Sequence, residues 1–116
     1  MSFTKEQVLK ELKSDGVVIL NVLSSEDYAK LHIRHSLNLP WANDSEAFVR
    51  RVEETYGRDK LFITYCASPS CSAGPKAAQV LREKGFNAQD YPGGIEEWHE
   101  NGLPIDGSQA SASISA

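Results

Sequence analysis

Leu61-Phe62-Ile63-Thr64-Tyr65-Cys66-Ala67-Ser68-Pro69-Ser70-Cys71-Ser72-Ala73-Gly74-Pro75-Lys76-Ala77-Ala78-Gln79-Val80-Leu81 reads as a strand, a loop and a helix joined without a gap. Leu61 to Tyr65 is a short apolar run with the length and β-branched content of a buried strand. From Cys66 to Gly74 the residues are small, which suits a chain that must curl tightly. Ala77, Ala78, Val80 and Leu81 then recur on one helical face, closing at Gly85. Both cysteines of the chain fall in this loop, at 66 and 71. A cysteine leaving a buried strand just before a helix start is well placed to hold negative charge on sulfur.

The same grammar extends in both directions. Upstream, Thr4 with Gln7 forms a capping box for a helix over 4–14, with Val8, Leu9 and Leu12 on one face. Asp15-Gly16 stops it, and Val17 to Val22 is a continuous apolar run expected of a strand buried on both faces. Ser24 or Ser25 caps a short helix over Glu26–Lys30. Ser36 to Leu39 is a short strand ended by Pro40. A longer helix is expected over 45–56, with Phe48, Val52 and Tyr56 in register and Gly57 as its C-terminal cap. Downstream, Asn87 to Tyr91 is a strand, Gly93-Gly94 a turn and Ile95 to Asn101 a helix with Trp98 inward. Strands alternating with helices imply an α/β fold, with a mainly parallel sheet of about five strands and helices on both faces. In such sheets ligands bind beyond the carboxyl ends of the strands, and Cys66 stands at one. The expected domain covers 1–107, and 108–116 is expected to be a flexible, small and polar tail.

Composition narrows the function. At 116 residues with 41% hydrophobic content, the chain can bury a core as one domain without staples. A net charge of -4 and a pI near 5.3 weigh against nucleic acid as the partner. No apolar run approaches the roughly 20 residues that span a bilayer, so no membrane partner is expected. The N-terminus lacks the basic-then-apolar order of a leader, and a reducing cytoplasm is the expected compartment. Thiols there are more often catalytic or metal-binding than structural. A closed zinc site would need two ligands beyond the cysteines. His32, His35 and His99 show no recognisable spacing, so neither metal nor cofactor is expected. Oligomeric state is left open.

The chemistry of the loop follows from its residues. A free thiol ionises at about 8.5, and a helix N-terminus lowers that into the range of roughly 3.5 to 7.5. If the loop curls around Cys66, the amides of residues 67–72 form a nest for the sulfur, and Ser68, Ser70 and Ser72 add hydroxyl donors. The same donors stabilise a terminal persulfide anion. Cys66 is the candidate catalytic residue, and Ala67, Ser68, Pro69, Ser70, Cys71 and Ser72 form its loop.

From about residue 4 to 106 the sequence resembles a single-domain rhodanese, a sulfurtransferase family. The resemblance rests on Tyr65-Cys66 and its helix, Gly85-Phe86, Tyr91-Pro92-Gly93-Gly94-Ile95-Glu96-Glu97-Trp98, and Gly102-Leu103-Pro104. Tyr28, His32-Ile33, Asn38 and Pro40 fall at matching places upstream. The resemblance implies a three-layer rhodanese-like fold and a double displacement. In it the Cys66 thiolate takes sulfane sulfur from a small donor, becomes a persulfide and passes the sulfur to a thiol or protein acceptor. Six residues, Cys66 to Cys71, make the loop. Relatives with seven-residue loops, phosphatases or arsenate reductases, carry an arginine where this chain has Ser72. Without that guanidinium a bidentate grip on phosphate is lost.

Departures from the family pattern sharpen the expectation. Asn21-Val22-Leu23 stands where the family often has Asp-Val-Arg, Leu31 replaces the glycine before His-Ile, and Arg34-His35 replaces Pro-Gly. Pro69 and Cys71 replace a mid-loop glycine and a far-edge basic residue or threonine. Arg34, His35 and Lys76 are the cations available to restore the lost charge if they fold toward the loop. Cys71 is either a small first-turn residue of the helix or a redox partner of Cys66. Two further readings stay open: a catalytically weak interaction module, and a thiol redox sensor. His32 is expected to order local backbone, Asn21 to bond backbone at its strand end, Trp98 to pack in the core, and Trp41 to sit under the loop or on its rim. The Arg50-Arg51 and Glu53-Glu54 pairs are expected to form a solvated helix face.

Overall fold

The structure, a computed structural model, describes residues 2–110. In chain order its elements are α1 (Lys5–Lys10), β1 (Val17–Asn21), α2 (Ser25–Lys30), β2 (His32–Ile33), β3 (Leu37–Asn38), α3 (Ser45–Tyr56), β4 (Leu61–Tyr65), α4 (Ala73–Glu83), β5 (Asn87–Asp90), α5 (Gly94–Glu100) and β6 (Ile105–Asp106). Among the described residues the main sheet has four strands in the order β3-β1-β4-β5, all parallel. Ser2 bridges to Asp90 beside β5, and β2 pairs antiparallel with β6 as a separate ribbon.

Alternation along the central strands sorts the core into two layers. Val18 and Leu20 of β1 and Phe62 of β4 point to one face, where Phe48, Val49 and Val52 of α3 and Ala77 and Leu81 of α4 cover them. Ile19, Ile63 and Tyr65 point to the other, under Val8 of α1 and Ile95 and Trp98 of α5. Both faces of β1 and β4 are therefore buried, which explains why each reads as an unbroken apolar run. The result is the expected three-layer α/β arrangement.

The expected first helix extends too far. The Thr4–Gln7 capping box is present, yet α1 ends at Lys10 and the chain continues through turns. With about 100° between residues, Val8 takes the inward position and Leu9 is left 41% exposed. The end of the domain carries pairing that no local pattern announces. Ile105 and Asp106 form β6 against β2, and the Ser108 and Gln109 amides donate to the carbonyls of Ala29 and Lys30 at 2.9 and 2.8 Å. The remainder of the expected tail, 111–116, lies outside the described residues. No helix among the described residues is long and apolar enough to cross a membrane.

This topology fixes where a site can form. The connection leaving β1 goes to β3 on one side, while that leaving β4 goes to β5 on the other. The carboxyl ends of β1 and β4 thus flank the point where the winding reverses, the usual ligand crevice of an open parallel sheet. Cys66 is the first residue after β4.

Candidate active site

Tyr65 anchors the strand end from below. Its hydroxyl accepts from the Ile33 amide at 3.0 Å and lies 2.8 Å from Ser36 Oγ, which donates to the Ile33 carbonyl at 2.6 Å. Burial pushes the Tyr65 pKa up to about 12, so the phenol stays neutral and the network keeps its protons. On the other side of the strand Thr64 Oγ1 donates to the Gly74 carbonyl at 2.7 Å, tying the end of β4 to the start of α4. The residue before Cys66 is locked to β2, and the one before that to α4.

Cys66 itself is buried, 3% exposed, with its side chain in the α3/α4 core. The Gly74 amide donates to its sulfur at 3.3 Å. That amide belongs to the first turn of an 11-residue helix, so the helix's positive end faces the sulfur. Gly74 stands this close because it lacks a side chain: a Cβ there would lie 3.2 Å from Tyr65 Cα and 3.3 Å from the Cys66 amide nitrogen. Pro75, next in the helix, has no N–H to leave unpaired.

The loop is held from a second direction by α5. Its first amides reach back, Ile95 donating to the Cys66 carbonyl at 3.0 Å and Glu96 to the Ala67 carbonyl at 2.9 Å. Gly94 makes this approach possible with φ +69, and a Cβ on it would come within 2.6 Å of the Ala67 carbonyl. Here is the physical content of the Gly93-Gly94 signature. Below it, the Tyr91 hydroxyl donates to Glu97 Oε1 at 2.7 Å. Burial first, then the Glu97 carboxylate that takes its hydrogen bond, raises the Tyr91 pKa.

The donors expected around the sulfur are arranged differently. The Cys71 amide turns back onto the Ser68 carbonyl at 3.0 Å, and the Ser68 and Ser70 hydroxyls bond to each other at 2.9 Å on the loop's exposed side. Ser72 is the N-cap of α4 and makes no side-chain cap bond. The hydrogen bond on the sulfur comes instead from Gly74, beyond the stretch 67–72. The reason is geometric: the loop folds over its own Ser68 carbonyl and spends the Cys71 amide there. Ala67 and Ser68 are half-buried, Pro69 and Ser70 exposed.

Cys71 meets Cys66. The two sulfurs are paired as a disulfide, with Cα atoms 6.4 Å apart, inside the roughly 4.4–6.8 Å span such bonds require. Cys71 is the more exposed of the two.

Of the three cations offered by the sequence, Arg34 is committed elsewhere. It pairs with Asp106 at 3.4 Å and donates to the Ile105 carbonyl at 3.2 Å, holding β2 to β6. His35 takes a left-handed φ of 72 in the turn before β3, the position where the family pattern has glycine. Lys76 is exposed on the first turn of α4. Among the described residues no group of three or more His, Cys, Asp and Glu side chains is placed to hold a metal.

The supporting residues behave as their chemistry dictates. Asn21 Oδ1 accepts from the Leu23 amide at 2.9 Å, and Asn38 Nδ2 bridges the Asn21 and Leu23 carbonyls at 3.1 and 3.0 Å. His32 stacks on Tyr28 with ring centroids 3.7 Å apart, and its Nδ1 lies 2.6 Å from the Tyr28 carbonyl. Trp98 is fully buried and donates to the Pro104 carbonyl at 2.8 Å. Trp41 is buried against Phe48 in the same core that takes in Cys66, rather than on an open rim. Arg50 and Arg51 are exposed on α3, Arg51 donating to the Pro40 carbonyl at 2.8 Å.

Known proteins resemble this chain in sequence and fold. The rhodanese-like domain profile matches residues 4–101. The chain is 30% identical over 96 residues to a thiosulfate:glutathione sulfurtransferase of Saccharomyces cerevisiae, covering 75% of this chain and 68% of that one. It is 29% identical over 105 residues to the HTH-type transcriptional regulator Rv0324 of Mycobacterium tuberculosis, covering 90% of this chain but only 44% of the regulator. The crystal structure of the BH2092 protein from Bacillus halodurans superposes with a TM-score of 0.80 at 25% identity, covering 92% of this chain and 77% of that one. The chain belongs to the rhodanese-like domain family.

Proposed function

We propose that the protein is a sulfurtransferase or sulfur carrier that holds sulfane sulfur as a persulfide on Cys66. The observation that supports this most is the Gly74 amide directed at the Cys66 sulfur, at the carboxyl end of a central parallel strand. A thiolate there is stabilised by a fixed dipole rather than by mobile water. It attacks the outer sulfur of a small donor and the donor's leaving group departs with the bonding electrons. The persulfide anion left on Cys66 then yields its terminal sulfur to a thiol or protein acceptor, which regenerates the thiolate.

Residues 67–72 carry no cation. The loop therefore offers little grip on a doubly charged donor such as thiosulfate, and organic persulfides are the better-matched class. The yeast relative's name pairs thiosulfate with glutathione, which makes both compounds the natural first probes. A reducing cytoplasm is the compartment this chemistry fits.

The test is transfer by the reduced protein from thiosulfate or glutathione persulfide to a thiol acceptor, with Cys66→Ala as the comparison. Transfer that depends on Cys66 supports the reading. Transfer that survives unchanged in Cys66→Ala, or is absent with every donor, removes it.

A further inference from the structure

We propose a second activity of the same loop, resting on the persulfide reading above: Cys71 is a resolving thiol that cleaves the Cys66 persulfide and releases hydrosulfide. The structure puts the Cys71 sulfur against Cys66 Sγ itself, the atom that becomes the inner sulfur of the persulfide. Attack on the terminal sulfur would move the sulfane atom to Cys71. Attack on the inner one expels it.

The step balances internally. The Cys71 sulfur forms a bond to Cys66 Sγ, the bond from Sγ to the terminal sulfur breaks, and that sulfur leaves with the electron pair as hydrosulfide, taking the proton that the Cys71 thiol gives up. Two cysteine sulfurs are oxidised by two electrons in all, and the sulfane sulfur is reduced by two. The product is the Cys66–Cys71 disulfide, whose Cα separation of 6.4 Å the loop already accommodates.

Resetting the loop requires a thiol reductant supplied from solution, a low-molecular-weight thiol or a protein dithiol. Burial directs its attack. Cys66 is 3% exposed and Cys71 is more open, so the incoming thiolate reaches Cys71 and Cys66 is the leaving group. The departing Cys66 thiolate returns to the Gly74 amide. A second thiol then resolves the mixed disulfide on Cys71. The loop thus needs no external acceptor for the sulfur, only thiols that supply the two electrons carried away in hydrosulfide.

The experiment is anaerobic single turnover of the reduced, desalted protein with one equivalent of inorganic polysulfide and no added thiol. Hydrosulfide and intact mass are followed in wild type, Cys71→Ser and Cys71→Ala, with Cys66→Ser as the blank. Wild type is expected to release one hydrosulfide per protein beyond the leaving group of the loading step, and to end two hydrogens lighter than the reduced chain. Both Cys71 variants are expected to retain one added sulfur and to release only the leaving group of that loading step until thiol is added. A wild type that keeps its added sulfur as long as the variants do overturns the resolving role and leaves the sulfur-carrier reading standing. A wild type and variants that never gain sulfur overturn both. Because the wild-type result alone decides the point, a Cys71 variant that folds poorly does not rescue the proposal.

Discussion

Replacing Gly94 with alanine puts a methyl group where backbone already stands. The new Cβ would lie 2.6 Å from both the carbonyl carbon and oxygen of Ala67 and 2.7 Å from the Cys66 oxygen. No rotamer relieves this, since every atom met is main chain. The left-handed φ of 69 adds its own cost, about 1–2 kcal/mol for a residue with a Cβ. Overpacking of this kind costs a further 1–3 kcal/mol or so, giving roughly 2–5 kcal/mol in total if the loop and α5 keep their places. The alternative is for α5 to back away, which stretches the bonds from Ile95 and Glu96 that fix the Cys66 and Ala67 carbonyls. Either stability or the position of Cys66 must give. The assay is thermal and urea unfolding, together with the alkylation rate of Cys66 in a Cys71→Ser background. Each kcal/mol moves the midpoint of a small domain by several degrees, about 4–8 °C near 100 residues, so a fall of at least roughly 8 °C is expected. Gly93→Ala is the internal contrast. Its φ of -58 suits any residue, and the Cβ meets side chains only, the Tyr91 hydroxyl at 2.9 Å and the flexible end of Glu97. That side chain can swing aside for the loss of the Tyr91 hydrogen bond, about 1 kcal/mol. If Gly94→Ala unfolds with wild type and its Cys66 reacts at the wild-type rate, the proposed clamp of α5 on the loop is wrong.

Four further outcomes follow from the same geometry. Tyr65 has its pKa raised to about 12 by burial. The folded state therefore binds more protons than the unfolded one between about pH 10 and 12. Stability is full below pH 10 and falls across that window by up to roughly 3 kcal/mol. The loss should be shallower in Tyr65→Phe, as followed by urea unfolding at stepped pH. Asn38→Ala leaves the Asn21 and Leu23 carbonyls without their shared donor and should cost about 1–3 kcal/mol by urea unfolding. Thr64→Val removes the bond to the Gly74 carbonyl, at a cost near 1 kcal/mol, and should change the alkylation rate of Cys66 by loosening the start of α4. His35→Gly relieves a left-handed φ of 72 and should leave stability unchanged or raise it by under about 1 kcal/mol, the relief being partly offset by unfolded-chain entropy.

How much of this was legible in the sequence depends on the range of the interactions. The strand–loop–helix around Cys66 could be read directly, because a buried strand, a small-residue loop and an amphipathic helix each carry a local pattern. The same holds for the Thr4–Gln7 box and for α3 over 45–56 with its Gly57 cap, whose signals lie within the segment itself. What could not be read was long-range pairing. Leu9 looked equivalent to Val8 and Leu12, and only the way α1 packs on the sheet decides that Val8 turns inward and Leu9 faces solvent. Arg34 looked free to approach the loop because Asp106 is 72 positions away in sequence. Ile105 and Asp106 showed no strand pattern, since two residues are too few to display a period, and they form β6 through pairing with β2 alone. The loop's hydrogen bonds were hidden for a related reason. Which amide meets the sulfur depends on how the turn spends the others, and the Ser68–Cys71 bond that settles it leaves no mark on composition. One signal was available and carried more than was taken from it: Gly74 sits one helical turn before Ala77 and Ala78, where a close approach to β4 excludes a side chain.

The central claim is that Cys66 carries sulfur, and peptide-level mass spectrometry tests it most directly. The reduced protein is treated with glutathione persulfide, trapped with an alkylating agent and digested. One added sulfur is expected on the peptide holding Cys66, either retained there in Cys71→Ser or resolved into the Cys66–Cys71 disulfide in wild type. A Cys71→Ser protein whose Cys66 peptide gains no sulfur would contradict it.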